Sequence, residues 1–566
     1  MTWLRKKIIG GKTYLYEYES IRIGDKVKSK YIGARGILND DGTITPTKQQ
    51  AQQINWRPPE RAHRAGDVEV LWQIAEELHL AQTIDRICQC RTKKNGASPG
   101  KLLTLWAINR ALDPESASQM DSWLLGTELP TLANLPEKAL NKNAFLDALD
   151  AVCSQDSGSD RLIDHTPALD EMMYTLWREQ HPLPQGIDEV LAVDMTPIIV
   201  YGETCPLTSK GYNPDEAKHQ QINLTVTLSK HDGQPLAHKV HPGNHASMTT
   251  MQGLLPRLSD FACSDGTIIW DRGNTSQQTV TTLERNGWKV ICGVPKVSSE
   301  VRTIIKENPI PETVEYLVPC KDNGTLYAVK IRAPLYGKER EVVIYRNIKK
   351  AVQSVKNRNK ALYEISMELD RLKKKHTSKD QKDLTTAINE IVTGWKTYFS
   401  IQFPEDESII DFSWKIDEGR VETAQAMDGT FVIYATDERY SATEVVKMYM
   451  EKDVVEKAFQ VMKSVEDIKP VRHRLESRVR AYVFVCMVAF RLHAALRAKI
   501  HSSTSKKVKM NSSEFLKVLK RVERADIQLG EEEIEVCYMN LTKDIVNQLV
   551  ALGMKNLLVS GRRKKV

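Results

Sequence analysis

The sequence predicts an α/β protein built around a mixed sheet. Residues 188–296 read as three strands, a helix, a strand, a helix and a strand, because short apolar runs alternate with helical spacing. The run Val190–Val200 is apolar apart from one acid, as in a strand that is buried on both faces. The triplet His231-Asp232-Gly233 separates two further apolar runs, as a hairpin turn does. This mixture of hairpin and alternating strand and helix indicates a sheet with both antiparallel and parallel strands.

The 566 residues divide into several segments by their texture. Aromatic and charged residues alternate at the start of the chain, and apolar residues at helical spacing follow. The pattern of apolar and charged residues changes twice more after the sheet region. The expected segments are a small β-rich unit (1–50), a helical domain (60–185), a first part of the sheet domain (186–297), an insertion with strands, helices and its own small core (298–437), a second part of the sheet domain (438–500) and a basic helical tail (501–566).

The composition excludes several classes of protein. A net charge of +7 with 27% charged and 41% hydrophobic residues argues against a disordered chain or an extreme polycation, and it permits a polyanionic partner. The most apolar stretch, Ala481–Phe490, is too short to span a bilayer, so no membrane partner is expected. The cysteines are scattered and form no Cys-x-x-Cys pair, which favours a reducing compartment and a cytoplasmic protein.

Two aspartates stand at chemically informative places. Asp194 interrupts the apolar run, where an unpaired carboxylate is costly to bury. Asp271 directly follows the apolar run Thr267–Trp270. Acids at the ends of neighbouring strands can converge on divalent cations, although strand-end aspartates also serve as turn formers and helix caps. The pair alone therefore leaves both interpretations open.

A polar stripe on a predicted helix adds a third acid. Ser441 and Glu444 form a capping-box sequence, and one long helix is expected from Ser441 to about Lys463. Tyr449, Lys452, Glu456 and Lys463 fall within roughly 60° of arc on this helix. On its own, such a stripe is more typical of a solvated face with ion pairs inside the helix.

The spacing of the stripe is similar to a known motif. Tyr449-x2-Lys452-x3-Glu456-x6-Lys463 resembles the Tyr-x2-Arg-x3-Glu-x6-Lys motif of insertion-sequence DDE transposases, which have a ribonuclease-H-like catalytic fold. The segments around Asp194 and Asp271 resemble the two aspartate segments of that family, and the resemblance covers about residues 186–495. Lys452 departs from the motif, since it keeps the charge of arginine and loses its bidentate fork.

The resemblance implies a function and a set of roles. It implies a DNA transposase that cuts at terminal inverted repeats and joins the 3′-hydroxyl ends to target DNA by phosphodiester hydrolysis and strand transfer. Asp194, Asp271 and Glu456 would be the catalytic carboxylates and would hold two Mg²⁺ (or Mn²⁺) ions. Tyr449, Lys452 and Lys463 would bind DNA phosphates.

The resemblance also implies partners. These are double-stranded DNA, as element ends and as target, and a second copy of the chain in a paired-end complex, with the protein in the cytoplasm at the nucleoid. By elimination, the helical domain (60–185) would bind DNA ends or serve dimerisation.

Several alternatives stay open at this stage. The chain could be a catalytically silent DNA-binding derivative of a transposase, or a metal-dependent nuclease without strand transfer. The Lys/Arg-rich stretch Lys349–Lys375 fits a solvated helix face as well as a nucleic-acid contact. The histidines between His219 and His245 are more simply hairpin and loop residues than metal ligands, because His238 and His241 should point to opposite faces of a strand.

Overall fold

The structure is a computed structural model of the whole chain. It describes all residues except 1, 24–25, 47–55, 58–61, 157, 160, 203, 212, 214–218, 247–248, 250, 252, 255–265, 320–323, 376–379, 407–408, 465, 470, 504–509, 530–532 and 565–566. Tyr212, in the linking segment that resembles the family, and Cys263 lie outside the described residues.

The described elements mix helices and strands along the whole chain. The α-helices are α1 (Gly66–Glu77), α2 (Leu80–Ile87), α3 (Pro99–Leu112), α4 (Met120–Leu125), α5 (Leu129–Leu132), α6 (Lys142–Val152), α7 (Thr166–Gln180), α8 (Gln277–Arg285), α9 (Ser299–Glu307), α10 (Ile348–Lys375), α11 (Gln381–Ile391), α12 (Glu418–Met427), α13 (Ala442–Met450), α14 (Asp453–Ser464), α15 (Glu476–Ser502), α16 (Ser512–Leu519) and α17 (Lys543–Ala551). The strands are β1 (Thr2–Ile9), β2 (Lys12–Ile23), β3 (Lys26–Leu38), β4 (Ile44–Thr45), β5 (Trp56–Arg57), β6 (His63–Arg64), β7 (Cys153–Gln155), β8 (Leu162–Asp164), β9 (Val190–Ile199), β10 (Gln221–Ser229), β11 (Pro235–Pro242), β12 (Thr267–Trp270), β13 (Lys289–Val294), β14 (Leu317–Val318), β15 (Leu326–Leu335), β16 (Lys338–Asn347), β17 (Phe399–Gln402), β18 (Ser413–Ile416), β19 (Thr430–Ala435), β20 (Glu523–Leu529), β21 (Glu533–Met539) and β22 (Gly561–Lys564).

The chain divides into two compact units. The first contains residues 1–77, 92–145 and 495–566, and the second contains residues 78–91 and 146–494. The helical stretch expected over residues 60–185 is therefore shared between the two units. The first unit begins with an antiparallel meander in the order β1-β2-β3-β4, which agrees with the β-rich start read from the sequence.

The C-terminal segment supplies strands as well as helices to the first unit. β20 and β21 pair antiparallel, and the sheet order is β22-β21-β20-β5, with β6 also pairing with β20. The prediction of a helical tail over residues 501–566 did not include these strands. The reason is local, since apolar and polar residues alternate from Glu533 to Val536, a pattern that suits a strand with one buried face.

The second unit is built on a nine-stranded mixed sheet. Its order is β11-β10-β9-β12-β13-β19-β16-β15-β14. β9 pairs antiparallel with β10 and parallel with β12, and β12 pairs parallel with β13. The mixed α/β sheet expected from the sequence is therefore present, and four further strands extend it beyond β13.

Both faces of this sheet are covered by apolar packing. One face packs against α8 and α9 through a cluster that includes Val193, Trp270, Val280 and Ile304. The other face packs against α13 through a cluster that includes Ile269, Val445 and Tyr449. Because side chains alternate between faces along a strand, Ile269 and its neighbour Trp270 belong to different clusters.

The segment 298–437 contributes to two cores. Its strands β14, β15, β16 and β19 belong to the nine-stranded sheet. Its helices α10, α11 and α12, with the hairpin β17–β18, surround a separate core that includes Leu369, Leu384 and Phe412. The independent core that was expected for the whole segment therefore belongs to residues 348–427, which we call the helical insert.

Helix α15 is long and contains a strongly apolar stretch. It runs over 27 residues, and by length and composition alone it could cross a membrane. In the structure, 94% of its most apolar window is buried inside the protein. The helix therefore serves as a core helix, which agrees with the interpretation of Ala481–Phe490 as part of a buried helix.

Candidate active site

Asp194 lies in the middle of β9, at the point where the burial of this strand changes. The four residues Val190–Val193 are buried, whereas Asp194 and Met195 are partly exposed. Val190 belongs to the cluster under α13, and Asp194 lies four residues further along the same strand. Since side chains repeat their face every second residue, Asp194 is on the sheet face that α13 covers.

Asp271 directly follows the neighbouring strand β12 and lies beside Asp194. The parallel strands β9 and β12 pair Val193 with Trp270, so the following residues of the two strands lie side by side. Asp271 keeps an extended backbone, with φ −81° and ψ 160°, and its side chain accepts a hydrogen bond of 2.8 Å from the Arg272 N–H. It follows Ile269 by two residues, which puts it on the same face as Asp194. The sheet thus brings the two predicted aspartates together.

The helix that carries the remaining residues is broken, which corrects the prediction of one helix from Ser441 to Lys463. α13 ends at Met450 and α14 begins at Asp453. Around the break the backbone bonds span three residues instead of four, as in Val455 N–H to Lys452 O at 3.0 Å. The break lets the helices pack on different strands, since α13 contacts β12, β13 and β16, whereas α14 contacts β9 and β10. Asp453 and Glu456 lie in the first turn of α14, where the helix dipole favours carboxylates.

Tyr449 joins the first of these helices to the sheet. Its side chain is buried, and its hydroxyl donates a hydrogen bond of 2.6 Å to Oδ1 of Asp271. The phenol ring lies over Gly293 of β13, and a Cβ atom at that position would be 3.1 Å from Cζ and closer still to the hydroxyl. Gly293 therefore provides the space in which the Tyr449 hydroxyl reaches the aspartate.

Lys452 and Glu456 complete the cluster. The Lys452 ammonium lies 3.9 Å from Oδ2 of Asp271 and 3.5 Å from Oε1 of Glu456. The Lys452 side chain is 17% exposed, whereas the Glu456 side chain is 60% exposed. One cation thus lies between a sheet-borne and a helix-borne carboxylate.

The pKa of Asp194 reports a crowded acidic site. Burial raises the pKa of this carboxyl to about 6, and the negative charges of Asp271 and Glu456 act in the same direction. The N–H of Met195, which donates a 2.8 Å hydrogen bond to Asp194, and the ammonium of Lys452 act against this shift. The three predicted catalytic acids therefore interact electrostatically.

Asp271 is shifted in the opposite direction. Burial opposes its ionisation, but the Lys452 ammonium, the Tyr449 hydroxyl and the Arg272 N–H together hold the pKa of Asp271 below its usual value. Burial and the neighbouring Asp271 raise the pKa of Tyr449, so its hydroxyl stays a hydrogen-bond donor. The two aspartates therefore have pKa values that their surroundings push apart.

The donor set suits a hard divalent cation. Carboxylate oxygens are the ligands that Mg²⁺ prefers, and the like-charge repulsion at Asp194 is what a bound cation relieves. The Lys452 ammonium, which lies near both Asp271 and Glu456, shows that the acidic cluster attracts positive charge. In the part of the chain that the structure describes, no three His, Cys, Asp or Glu side chains lie close enough together to hold one ion. The arrangement therefore offers two adjacent sheet carboxylates, with Glu456 turned towards Lys452.

Three other residues that the sequence singled out, namely Lys463, His238 and His241, lie outside the contacts described above. Lys463 is on α14, about two turns beyond Glu456 and on the same side of the helix. His238 contacts Asp170, with Nδ1 2.8 Å from Oδ2, and His241 Nε2 lies 3.1 Å from the hydroxyl oxygen of Thr225. The two histidines thus have separate structural partners.

Sequence reasoning missed several supporting contacts. Lys230, the residue directly after β10, forms an ion pair with Glu451 in the break between α13 and α14. Thr275 accepts a hydrogen bond from Trp270 Nε1 at 2.9 Å and donates one to the carbonyl of Gly293 at 2.7 Å. No local sequence pattern identifies Lys230 as a residue near the site. Thr275 lies four residues after Asp271, so its position in the sequence could have identified it as a supporting residue.

The fold and this cluster define an α/β protein in which acidic residues are grouped on one face of a mixed sheet. A comparison with protein families matches residues 185–492, more than half of the chain, to the family described as "Transposase DDE domain". The chain belongs to this family, which makes it a DNA transposase. A comparison with curated proteins finds no match.

Among solved structures, the chain is similar to one described as "Cryo-EM structure of piggyBac transposase synaptic complex with hairpin DNA (SNHP)". The identity is 11%, the alignment covers 82% of this chain and 81% of that one, and the TM-score is 0.37. A score that low supports no conclusion about a shared fold.

Proposed function

We propose that the chain cuts DNA at the ends of a mobile element and joins the freed 3′-hydroxyls to target DNA. The observation that carries this proposal is the register of β9 and β12, which brings Asp194 and Asp271 side by side within electrostatic reach of Lys452 and Glu456. Strands β11, β10 and β9 are antiparallel and β12 and β13 continue in parallel, which supports a ribonuclease-H-like catalytic core.

The three acids would hold two Mg²⁺ or Mn²⁺ ions. Bound there, such ions lower the pKa of an attacking water or 3′-hydroxyl and stabilise the leaving oxygen. The chain itself contributes negative charge on a rigid sheet, with Asp271 ionised through the physiological range because its pKa is lowered. Tyr449 fixes the orientation of the Asp271 carboxylate by its hydrogen bond.

We infer that Lys452 and Lys463 also bind DNA phosphates. In the structure Lys452 lies within ion-pair distance of Asp271 and Glu456, so it offsets part of the negative charge of the acidic cluster. Its ammonium is a point charge that can turn towards a phosphate, and Lys463 offers a second positive charge on the same side of α14. The assignment to the transposase branch with the Tyr-x2-Arg-x3-Glu-x6-Lys motif rests on the sequence spacing of Tyr449, Lys452, Glu456 and Lys463.

Further parts of the proposal concern assembly. The helical stretch over residues 60–185 would recognise terminal inverted repeats or serve dimerisation, and two copies of the chain would hold two element ends. The protein would act in the cytoplasm, at the nucleoid.

The test is a DNA cleavage and joining assay with the full chain. Supercoiled plasmid and oligonucleotide ends are incubated with Mg²⁺ or Mn²⁺ and the wild type, Asp194→Asn, Asp271→Asn or Glu456→Gln. Glu451→Gln serves as the matched control, because it removes a neighbouring acid that pairs with Lys230. We expect joined products from the wild type and the control, and loss of cleavage with retained DNA binding in the other three variants.

Other outcomes separate the alternatives. Nicks without joined products indicate a metal-dependent nuclease, and a gel shift without any cleavage indicates a silent DNA-binding derivative. Retained cleavage in any one acid variant removes that residue from the site.

A further inference from the structure

A small cationic cavity lies beside the acidic cluster and is not part of it. Its volume is about 330 Å³. The residues that line it come from the sheet and from the helical insert, namely Arg272, Lys296, Lys350, Gln353, Ser354, Asn357, Asp428, Gly429 and Phe431. Arg272 directly follows Asp271, so the cavity begins one residue from a predicted catalytic acid.

Three positive charges surround a single aromatic ring in this cavity. The Lys296 ammonium lies 4.4 Å from the ring centroid of Phe431, the Lys350 ammonium 5.5 Å and the guanidinium carbon of Arg272 5.7 Å. Each contact is only weakly attractive where solvent is present. One neutral ring does not compensate three cations that also repel each other.

The acids near the cavity do not neutralise these cations either. Asp428 is held by Arg358 through two hydrogen bonds, one of them 3.0 Å long. Lys296 donates to the carbonyl of Met427 at 2.8 Å. Within the described residues, no ion pair within 4 Å joins the side-chain charge of Arg272, Lys296 or Lys350 to a carboxylate, although Arg272 acts electrostatically on Asp271 and Lys350 on Asp453.

Burial and repulsion both affect the ionisation of the partly buried Lys296. Burial, and next the positive charge of Arg272, lower the pKa of Lys296 to about 8, while Asp428 opposes this shift. A bound anion would oppose both effects, because its negative charge favours the charged form of the lysine. Gln353, Ser354 and Asn357 add hydrogen-bonding side chains on the α10 wall of the cavity.

We propose that this cavity binds a backbone phosphate of the DNA strand that lies at the acidic cluster. The proposal rests on the proposed function, since it assigns a second contact to the same DNA. A tetrahedral phosphate suits a pocket of this size that is lined by three cations, and positive side chains are the usual partners of DNA phosphates. The helical insert would thereby take part in DNA binding through Lys350.

The experiment measures DNA affinity without divalent metal, so that no cleavage occurs. The full-length wild type, Lys350→Ala and Lys296→Gln are titrated against a fluorescein-labelled mixed-sequence duplex in EDTA at several salt concentrations, with anisotropy as the readout. Lys349→Ala is the matched control, because it removes the same charge one residue away, where the side chain packs near Gly324 instead of the cavity.

We expect both cavity variants to bind about 3- to 10-fold more weakly, with the slope of log affinity against log salt reduced by about one. The Lys349→Ala control should keep the wild-type slope. Equal losses for Lys349→Ala and Lys350→Ala would overturn the proposal, because they would show a general charge effect. A second result would also overturn the proposal. If the cavity variants bind the duplex as the wild type does, and inorganic phosphate raises the thermal stability of the wild type but not of Lys350→Ala, the cavity is a site for free phosphate.

The result is independent of the transposition assay. If the wild type fails to cut or join DNA while Lys350→Ala still weakens duplex binding, the proposed function falls and the phosphate site stands. If the acid variants lose cleavage while the cavity variants bind normally, the phosphate site falls and the proposed function stands.

Discussion

The two halves of the acidic cluster are built differently. Asp194 and Asp271 are carried by adjacent parallel strands, and the backbone pairing of these strands fixes the distance between the two residues. Glu456 belongs to a helix that begins after a break, and its side chain is 60% exposed. The comparison shows that the sheet supplies a rigid pair of carboxylates, whereas the helix supplies a third that is positioned by neighbouring side chains.

The largest expected effect comes from changing the length of an acid on each half. Asp194→Glu should lower the cleavage rate by at least about 10²-fold, because the strand cannot move to accommodate a displaced carboxylate and a misplacement of about 1 Å is that costly. Glu456→Asp should lose only about 10-fold, since an exposed side chain on a helix can adjust. Single-turnover cleavage rates with Mg²⁺ test this difference.

Glu451→Asp is the matched control, since it makes the same chemical change outside the acidic cluster. Equal losses for Asp194→Glu and Glu456→Asp would contradict the distinction between a rigid and an adjustable half.

A second prediction concerns the contact that joins the two halves. Gly293→Ala should destabilise the protein by about 1–3 kcal/mol, because the new methyl group overlaps the Tyr449 ring that the glycine accommodates. Denaturant unfolding measures the loss. Adding Tyr449→Phe removes the nearest overlapping atom, so the double variant should recover part of the stability.

The control for this pair is Gly273→Ala, where a Cβ atom meets nothing within 4 Å. Strict additivity of Gly293→Ala and Tyr449→Phe would show that the two residues are not coupled.

A third prediction follows from the raised pKa of Asp194. The folded carboxyl ionises near pH 6 and the unfolded one near 3.8, so the folded protein binds more protons between these values. The ionised group therefore lowers stability as pH rises through about 6. Asp194→Asn should raise the free energy of unfolding by about 1–3 kcal/mol at pH 7.5 without metal, and by much less near pH 4, where the folded carboxyl is protonated and the unfolded one is only partly ionised.

Thermal unfolding in EDTA at the two pH values tests this sign. A gain of the same size at both values would assign the effect to something other than ionisation. Adding Mg²⁺ should stabilise the wild type and leave Asp194→Asn nearly unchanged, since a bound ligand stabilises only the form that holds it.

The smallest effect is expected at the helix break. Glu451→Gln removes an ion pair with Lys230 whose glutamate side chain is 55% exposed, so unfolding should change by no more than about 1 kcal/mol. A larger loss in denaturant unfolding would mean that this pair, and not Tyr449, holds the helix side in place. Lys230→Gln should give the same small change.

The sequence was sufficient to place Asp194 and Asp271 on neighbouring strands, and insufficient to predict how the helix side of the cluster is built. An apolar run broken by Asp194, and a second one ending at Asp271, identify two buried strands by composition alone. The break after Met450 was not predictable from periodicity, because a turn of three-residue bonds keeps Tyr449, Lys452 and Glu456 close to one another. Likewise, strands β15 and β16 form a local hairpin in sequence, and only the pairing of β16 with β19 adds them to the large sheet.

The helical insert leaves the sheet and returns to it at one place. Asn347, the last residue of β16, donates its N–H to the carbonyl of Gly429 at 2.8 Å, just before β19 begins. A chain that departs and re-enters at hydrogen-bonded neighbours closes its loop at an entropic cost that grows only slowly with length. Evolution could therefore lengthen, shorten or exchange this excursion while the register of the strands on either side stays the same.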